Sequence, residues 1–205
     1  MSERQSHFRL FGVPVRVELG FFIVALFALQ TRDAQGAAIW ALAVFLGVLV
    51  HELGHAFAMR RVGETPFVTL HALGGVTQGH AGTKTSARQD LLIALSGPIT
   101  GLLFGGFIVL VSKLAPATHP LVDQFVADSR WINLGWSFVN LLPLIPWDGG
   151  LALDATLRWS TGKSWPRLVG GVAIVGGAAI IGAAAWLKML LLGYFGLMSI
   201  INGVQ

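Results

Sequence analysis

Five consecutive residues, His51-Glu52-Leu53-Gly54-His55, carry side chains whose types and spacing suit one kind of chemistry. On a helix, positions four apart share a face, so both imidazoles can reach a single ion while Glu52 stands beside them. Two neutral nitrogen ligands, with a carboxylate base within reach of a water on the metal, form the zinc-hydrolase arrangement. The bland alternative is a cluster at a helix end whose members only hydrogen-bond one another. That alternative suits a soluble helix, but an ionisable cluster inside an apolar span is costly and normally functional.

A catalytic zinc ordinarily takes three protein ligands and keeps its fourth position open. The chain has no cysteine, so the third ligand must be His, Asp, Glu or a backbone oxygen. Glu3, Glu18, Asp33, Asp123 and Asp128 fall in terminal or outside segments, and Glu64 follows the second apolar run too closely. Asp90, Asp148 and Asp154 remain. Asp148 closes the run Asn140-Leu-Leu-Pro143-Leu-Ile-Pro146-Trp147-Asp148-Gly149-Gly150, which reaches the same predicted depth as the two histidines, so placement favours it. An Asp-Gly pair after proline is also ordinary turn and cap chemistry. Pro143 and Pro146, however, remove backbone bonds at membrane depth, which is tolerated where the segment is buried in protein or lines a wet cavity.

The elements that must hold these residues are written in the composition. Of 205 residues, 54% are hydrophobic and 12% charged, so lipid is the solvent for most of the chain. Apolar runs at 18–31, 37–59, 89–112, 131–147 and 166–187, with a further one at 189–201, predict an all-α polytopic membrane protein of five to six transmembrane helices. No composition shift marks a linker, so one domain over 1–205 is expected, with a catalytic core at about 37–150. The first run follows Arg4, Arg9 and Arg16 as a signal peptide would, but no small-x-small cleavage site comes after it, and it reads as a retained anchor.

Placing the N-terminus in the cytoplasm puts Arg4, Arg9, Arg16, Arg60, Arg61, Lys84, Arg88, Arg158, Lys163 and Arg167 inside. Arg32, Lys113, Arg130 and Lys188 then lie outside, the bias that the positive-inside rule expects. The basic residues form no stripe, which argues against nucleic acid as a partner. Between the second and third runs, residues 66–83 alternate β-branched and apolar side chains around Leu73-Gly74-Gly75-Val76, predicting a small β-hairpin or re-entrant strand. His71 and His80 flank the double glycine, and His7 and His119 sit in a terminal segment and a loop; none receives a role.

With these residues in view, the chain resembles the site-2 protease family of intramembrane zinc metalloproteases, in its small form without PDZ or CBS domains. The likeness covers residues 37–150. It rests on the His51–His55 motif and on a second signature at Asn140, Pro143, Asp148 and Gly149, with weaker support from Ser96-Gly97-Pro98 and Gly74-Gly75. Gly101 departs from the family's frequent Asn, and Trp147 from its common Leu. The resemblance implies one Zn2+ per chain on His51, His55 and Asp148, and Glu52 as general base. It implies that Asn140 contacts the substrate backbone or the oxyanion, and that Gly74 and Gly75 lie on a hairpin pairing with an extended substrate. It further implies an integral protein of a bacterial or archaeal plasma membrane that cuts a single-span membrane protein, such as an anti-sigma factor or membrane-tethered regulator, near the cytoplasmic side. A catalytically inactive regulator keeping the same fold is the alternative, and an ion transporter ranks below it.

Overall fold

The computed structural model describes residues 8–79, 84–116, 119–188 and 190–204. These divide into two compact units, one of residues 8–79 with 84 and the stretch 96–137, the other of 85–95 with 138–204.

In the first unit, β1 (Phe8–Leu10) and β2 (Val13–Val17) form a tight antiparallel hairpin, turning through Phe11 and Gly12, both at positive φ. The chain then makes a short 3-10 turn at Leu19–Phe22 and a six-residue helix α1 (Ile23–Ala28) before α2 (Ala34–Arg61). The strands β3 (Pro66–His71) and β4 (Gly74–Gly79) follow. The hairpin expected in 66–83 is therefore present, paired antiparallel from Pro66 against Gly79 to His71 against Gly74. Residues 80–83, and with them His80, lie outside the described residues, as does His7.

What the alternation in 66–83 did not reveal is that β3 also pairs in parallel with β2, giving a four-stranded sheet in the order β1-β2-β3-β4. Parallel neighbours need a long crossover, and here it is α1 with α2. The inward positions Val13, Val15, Val68 and Leu70 are fully buried and pack with Phe21, Val48, Leu49, Leu53 and Ala56. The core of this unit thus lies between the sheet and one face of α2, the face next to the metal motif.

Among the described residues, three helices are long and apolar enough to cross a membrane: α2, α3 (Ala87–Leu114) and α6 (Pro166–Leu187). At 1.5 Å per residue they measure about 33–42 Å, against a hydrocarbon core of about 30 Å. The apolar run at 18–31 does not form such a helix, since its α-helical part is α1 alone. The run at 131–147 is divided: α4 spans Pro120–Asn140, and the chain leaves the helix at Leu141. α4 starts in a stretch containing Asp123, Asp128 and Arg130, which the sequence placed in outside segments. One of these charges is met by a partner. Arg32 donates to both oxygens of Asp128 at 2.6 and 3.0 Å and lies 4.9 Å above the Trp40 ring. That bidentate pair holds the guanidinium pKa above its usual range.

Glycines set the closest helix contacts in this unit. A Cβ on Gly47 would come within 2.7 Å of Ile132, and one on Gly105 within 2.7 Å of Leu134; one on Gly101 would overlap the Ser137 hydroxyl. The helices approach along these small residues, as membrane helices commonly do.

In the second unit, α5 (Asp148–Thr161) is followed by α6 and α7 (Leu190–Val204), the last of which supplies a shorter apolar helix over Gly193–Val204. Gly170 and Gly177 of α6 face Gly203 and Gly196 of α7 so closely that a Cβ on any of the four would meet the opposite backbone. Leu141–Trp147, with a cis bond before Pro146, is not helical, in keeping with the unwinding that Pro143 and Pro146 predict.

Candidate metal centre

The second half of α2 brings His51, Glu52 and His55 to one place, and it does so by helix periodicity alone. All three are buried, at 4%, 5% and 7% exposure, which removes the reading of a solvated surface cluster. The two Nε2 atoms converge to 3.2 Å, with the rings edge to face at 73°. Two nitrogens each about 2.0–2.1 Å from one tetrahedral zinc stand about 3.3 Å apart, so the pair is spaced for one ion without rearrangement.

Two neighbouring elements fix these side chains. On α3, Gly97 lies directly beneath the His55 imidazole, so close that a Cβ there would overlap Nε2 and come within 2.6 Å of two ring carbons. On α2 itself, a Cβ on Gly54 would come within 2.6 Å of the Ser96 carbonyl and the Thr100 hydroxyl. Gly54 and Gly97 together allow α2 and α3 to approach closely enough for the ring to sit on backbone. From the sheet, Thr77 donates its hydroxyl to Glu52 Oε2 at 2.7 Å, with the Glu52 main-chain oxygen as a second acceptor at 3.0 Å. Gly75 lies against the same side chain: a Cβ there would stand 2.5 Å from Glu52 Cγ and 2.7 Å from Oε1.

Thus Gly75 borders the candidate base. Gly74 begins β4 at φ +130° beside Trp136, a conformation that L side chains rarely adopt. Neither Thr77 nor the role of Gly97 was singled out from the sequence. The period of two in β4, which puts residue 77 on the same face as Gly75, was the signal available for the first.

In the other unit, Asn140 is the last residue of α4 and is buried, and Asp148 is the first of α5 and half-buried. A carboxylate in the first turn is favoured by the helix dipole. Gly149 and Gly150 explain how this turn is shaped. Side chains there would collide with the Leu141 and Leu142 carbonyls and with the Leu144–Ile145 peptide, so the unwound strand lies flat on the start of α5. The other two acidic candidates are committed elsewhere. Arg158 donates to Asp154 at 2.8 Å and to Asp90 at 2.9 Å, and these two bonds, Asp154's first, raise the Arg158 pKa.

No protein-family model matches the chain. Among curated proteins, it is 26% identical over 162 residues to a zinc metalloprotease of Methanocaldococcus jannaschii, covering 76% of this chain and 46% of that one. It is 39% identical over 136 residues to Rip3 of Mycobacterium tuberculosis, provisionally named a zinc metalloprotease, covering 63% of this chain and 33% of the relative. The chain therefore spans less than half the length of these relatives. In fold, it matches the site-2 protease from Methanocaldococcus jannaschii with a TM-score of 0.70 at 21% identity, over 98% of this chain and 94% of that one. Its sequence relatives are thus named as zinc metalloproteases, and its fold is shared with a site-2 protease.

Proposed function

We propose that the chain is an intramembrane zinc metalloprotease that hydrolyses a peptide bond within or near the transmembrane segment of a membrane protein, close to the cytoplasmic side. The observation that carries this reading is the buried Nε2 pair at 3.2 Å with Glu52 beside it, on a helix long and apolar enough to cross the membrane. His51, His55 and Asp148 hold the zinc. Asp148 is the acidic candidate left for the third position, since Asp90 and Asp154 are bound to Arg158. Both compact units then belong to one catalytic domain.

Bound zinc would polarise the scissile carbonyl and lower the pKa of the attacking water. The residues of the chain do the rest. The Glu52 carboxylate takes the proton from the attacking water and passes it to the leaving amine nitrogen. Asn140 donates its side-chain N–H to the substrate backbone or to the oxygen that gains charge. A substrate helix keeps its carbonyls in internal bonds and must unwind to be cut. Strand β4, at the edge of the sheet and carrying Gly74 and Gly75, offers backbone groups to pair with an extended substrate.

The substrate is a single-span membrane protein such as an anti-sigma factor or another membrane-tethered regulator, and the setting is a bacterial or archaeal plasma membrane with the N-terminus cytoplasmic. Arg60 and Arg61 in the last turn of α2 support that orientation, and Arg60 donates to the Phe11 carbonyl at 2.7 Å, so the first hairpin lies at the same end of α2. The test is co-expression of a tagged single-span substrate with the wild type and with Glu52→Gln. Loss of cleavage in the variant with zinc retained is expected, and equal cleavage by both would refute the base. Asp148→Ala should lower bound zinc; unchanged metal content would remove it from the ligand set.

A further inference from the structure

We infer that Thr77 is a positioning residue that holds the Glu52 carboxylate in its working orientation, an inference that rests on the protease reading above. Its hydroxyl has one proton and two acceptors in reach, Oε2 at 2.7 Å and the Glu52 main-chain oxygen at 3.0 Å. The nearer acceptor is also the charged one, and a charge-assisted bond to a carboxylate is about twice as strong as a neutral bond. Gly75, two residues earlier and therefore on the same face of β4, lies beneath Cγ and Oε1. One carboxylate oxygen is thus tied to the Thr77 hydroxyl while the other rests on bare backbone.

This grip matters because a glutamate side chain has several torsions, and a base works only when its oxygen is in line with the proton. Displacement of a reacting group by about 1 Å can cost about a hundredfold in rate. Glu52 is buried within a helix, and the contact that orients it comes from a strand 25 residues away in sequence, on the exposed edge of the sheet. The strand proposed to receive substrate is therefore also the strand that orients the base.

Thr77→Val is nearly isosteric and removes only the donor, whereas Thr77→Ser keeps it. With a single-span reporter in detergent micelles, Thr77→Val is expected to lower kcat about 10- to 100-fold with KM and bound zinc within about twofold of wild type. Thr77→Ser should restore kcat to within about threefold. Apart from turnover, a double-mutant cycle of Thr77→Val and Glu52→Ala on denaturant unfolding should be non-additive by about tenfold in the equilibrium constant, as a bond to a charged group implies. A cleaving wild type matched in kcat by Thr77→Val, a Thr77→Ser variant as slow as Thr77→Val, or an additive cycle would overturn the positioning role alone. A wild type that binds zinc but cleaves no reporter would overturn the protease reading, and that role with it.

Discussion

Substituting Gly97 by alanine tests the proposed metal site without touching a proposed ligand. The added Cβ would lie 2.6 Å from Cδ2 and from Cε1 of His55 and would overlap Nε2. Favourable carbon contacts begin near about 3.5 Å, so the ring must retreat by roughly 1 Å or α3 must shift by as much. Metal–ligand distances tolerate about 0.2 Å, so a zinc-bound His55 could not make that retreat and keep its bond. Relieving such an overlap costs about 1–3 kcal/mol. If the ring yields, zinc affinity falls about 10- to 100-fold, at about 1.4 kcal/mol for each factor of ten. The assay is a competition titration of purified protein in detergent against a chromogenic zinc chelator. Gly106→Ala serves as the control, because it lies on the same helix with open space around it. It should bind zinc like the wild type. Wild-type zinc affinity in Gly97→Ala would refute the placement of His55 over the α3 backbone.

Two other changes probe what surrounds the centre. Arg158→Ala removes the shared partner of Asp90 and Asp154, but both carboxylates are about 30% exposed, so each pair is worth at most about 1 kcal/mol. Thermal unfolding should drop by a few degrees with zinc content unchanged, and loss of zinc instead would mean that one of those aspartates serves the metal. Gly149→Ala places a methyl against the Leu141 and Leu142 carbonyls, which are backbone and cannot rotate away. It should destabilise the second unit by about 1–3 kcal/mol or more, measured by denaturant unfolding, while Gly182→Ala, with open space at its position, should not.

Some of this molecule was legible before any coordinates. His51, Glu52 and His55 are joined by local geometry, because residues four apart on one helix share a face whatever the helix packs against. The hairpin in 66–83 was readable because alternation and a glycine turn are also local signals. So was the break after Asn140, since proline removes backbone donors wherever it stands.

Other features were decided by contacts between distant segments. The apolar run at 18–31 has the composition of a span, yet its neighbour β2 is drawn into a parallel pairing with β3, and the intervening residues become part of a crossover. α4 extends back over Asp128 because Arg32, 96 residues away, neutralises it. Hydropathy counts such a charge as a cost and has no means of seeing its partner. The same holds at the centre of the site. The sequence by itself determined that two imidazoles and a carboxylate share one helical face. Only the tertiary structure decided that Thr77 and Gly75 from a strand grip the carboxylate and that Gly97 from another helix supports the imidazole, because those contacts depend on where separately folded backbones come to rest.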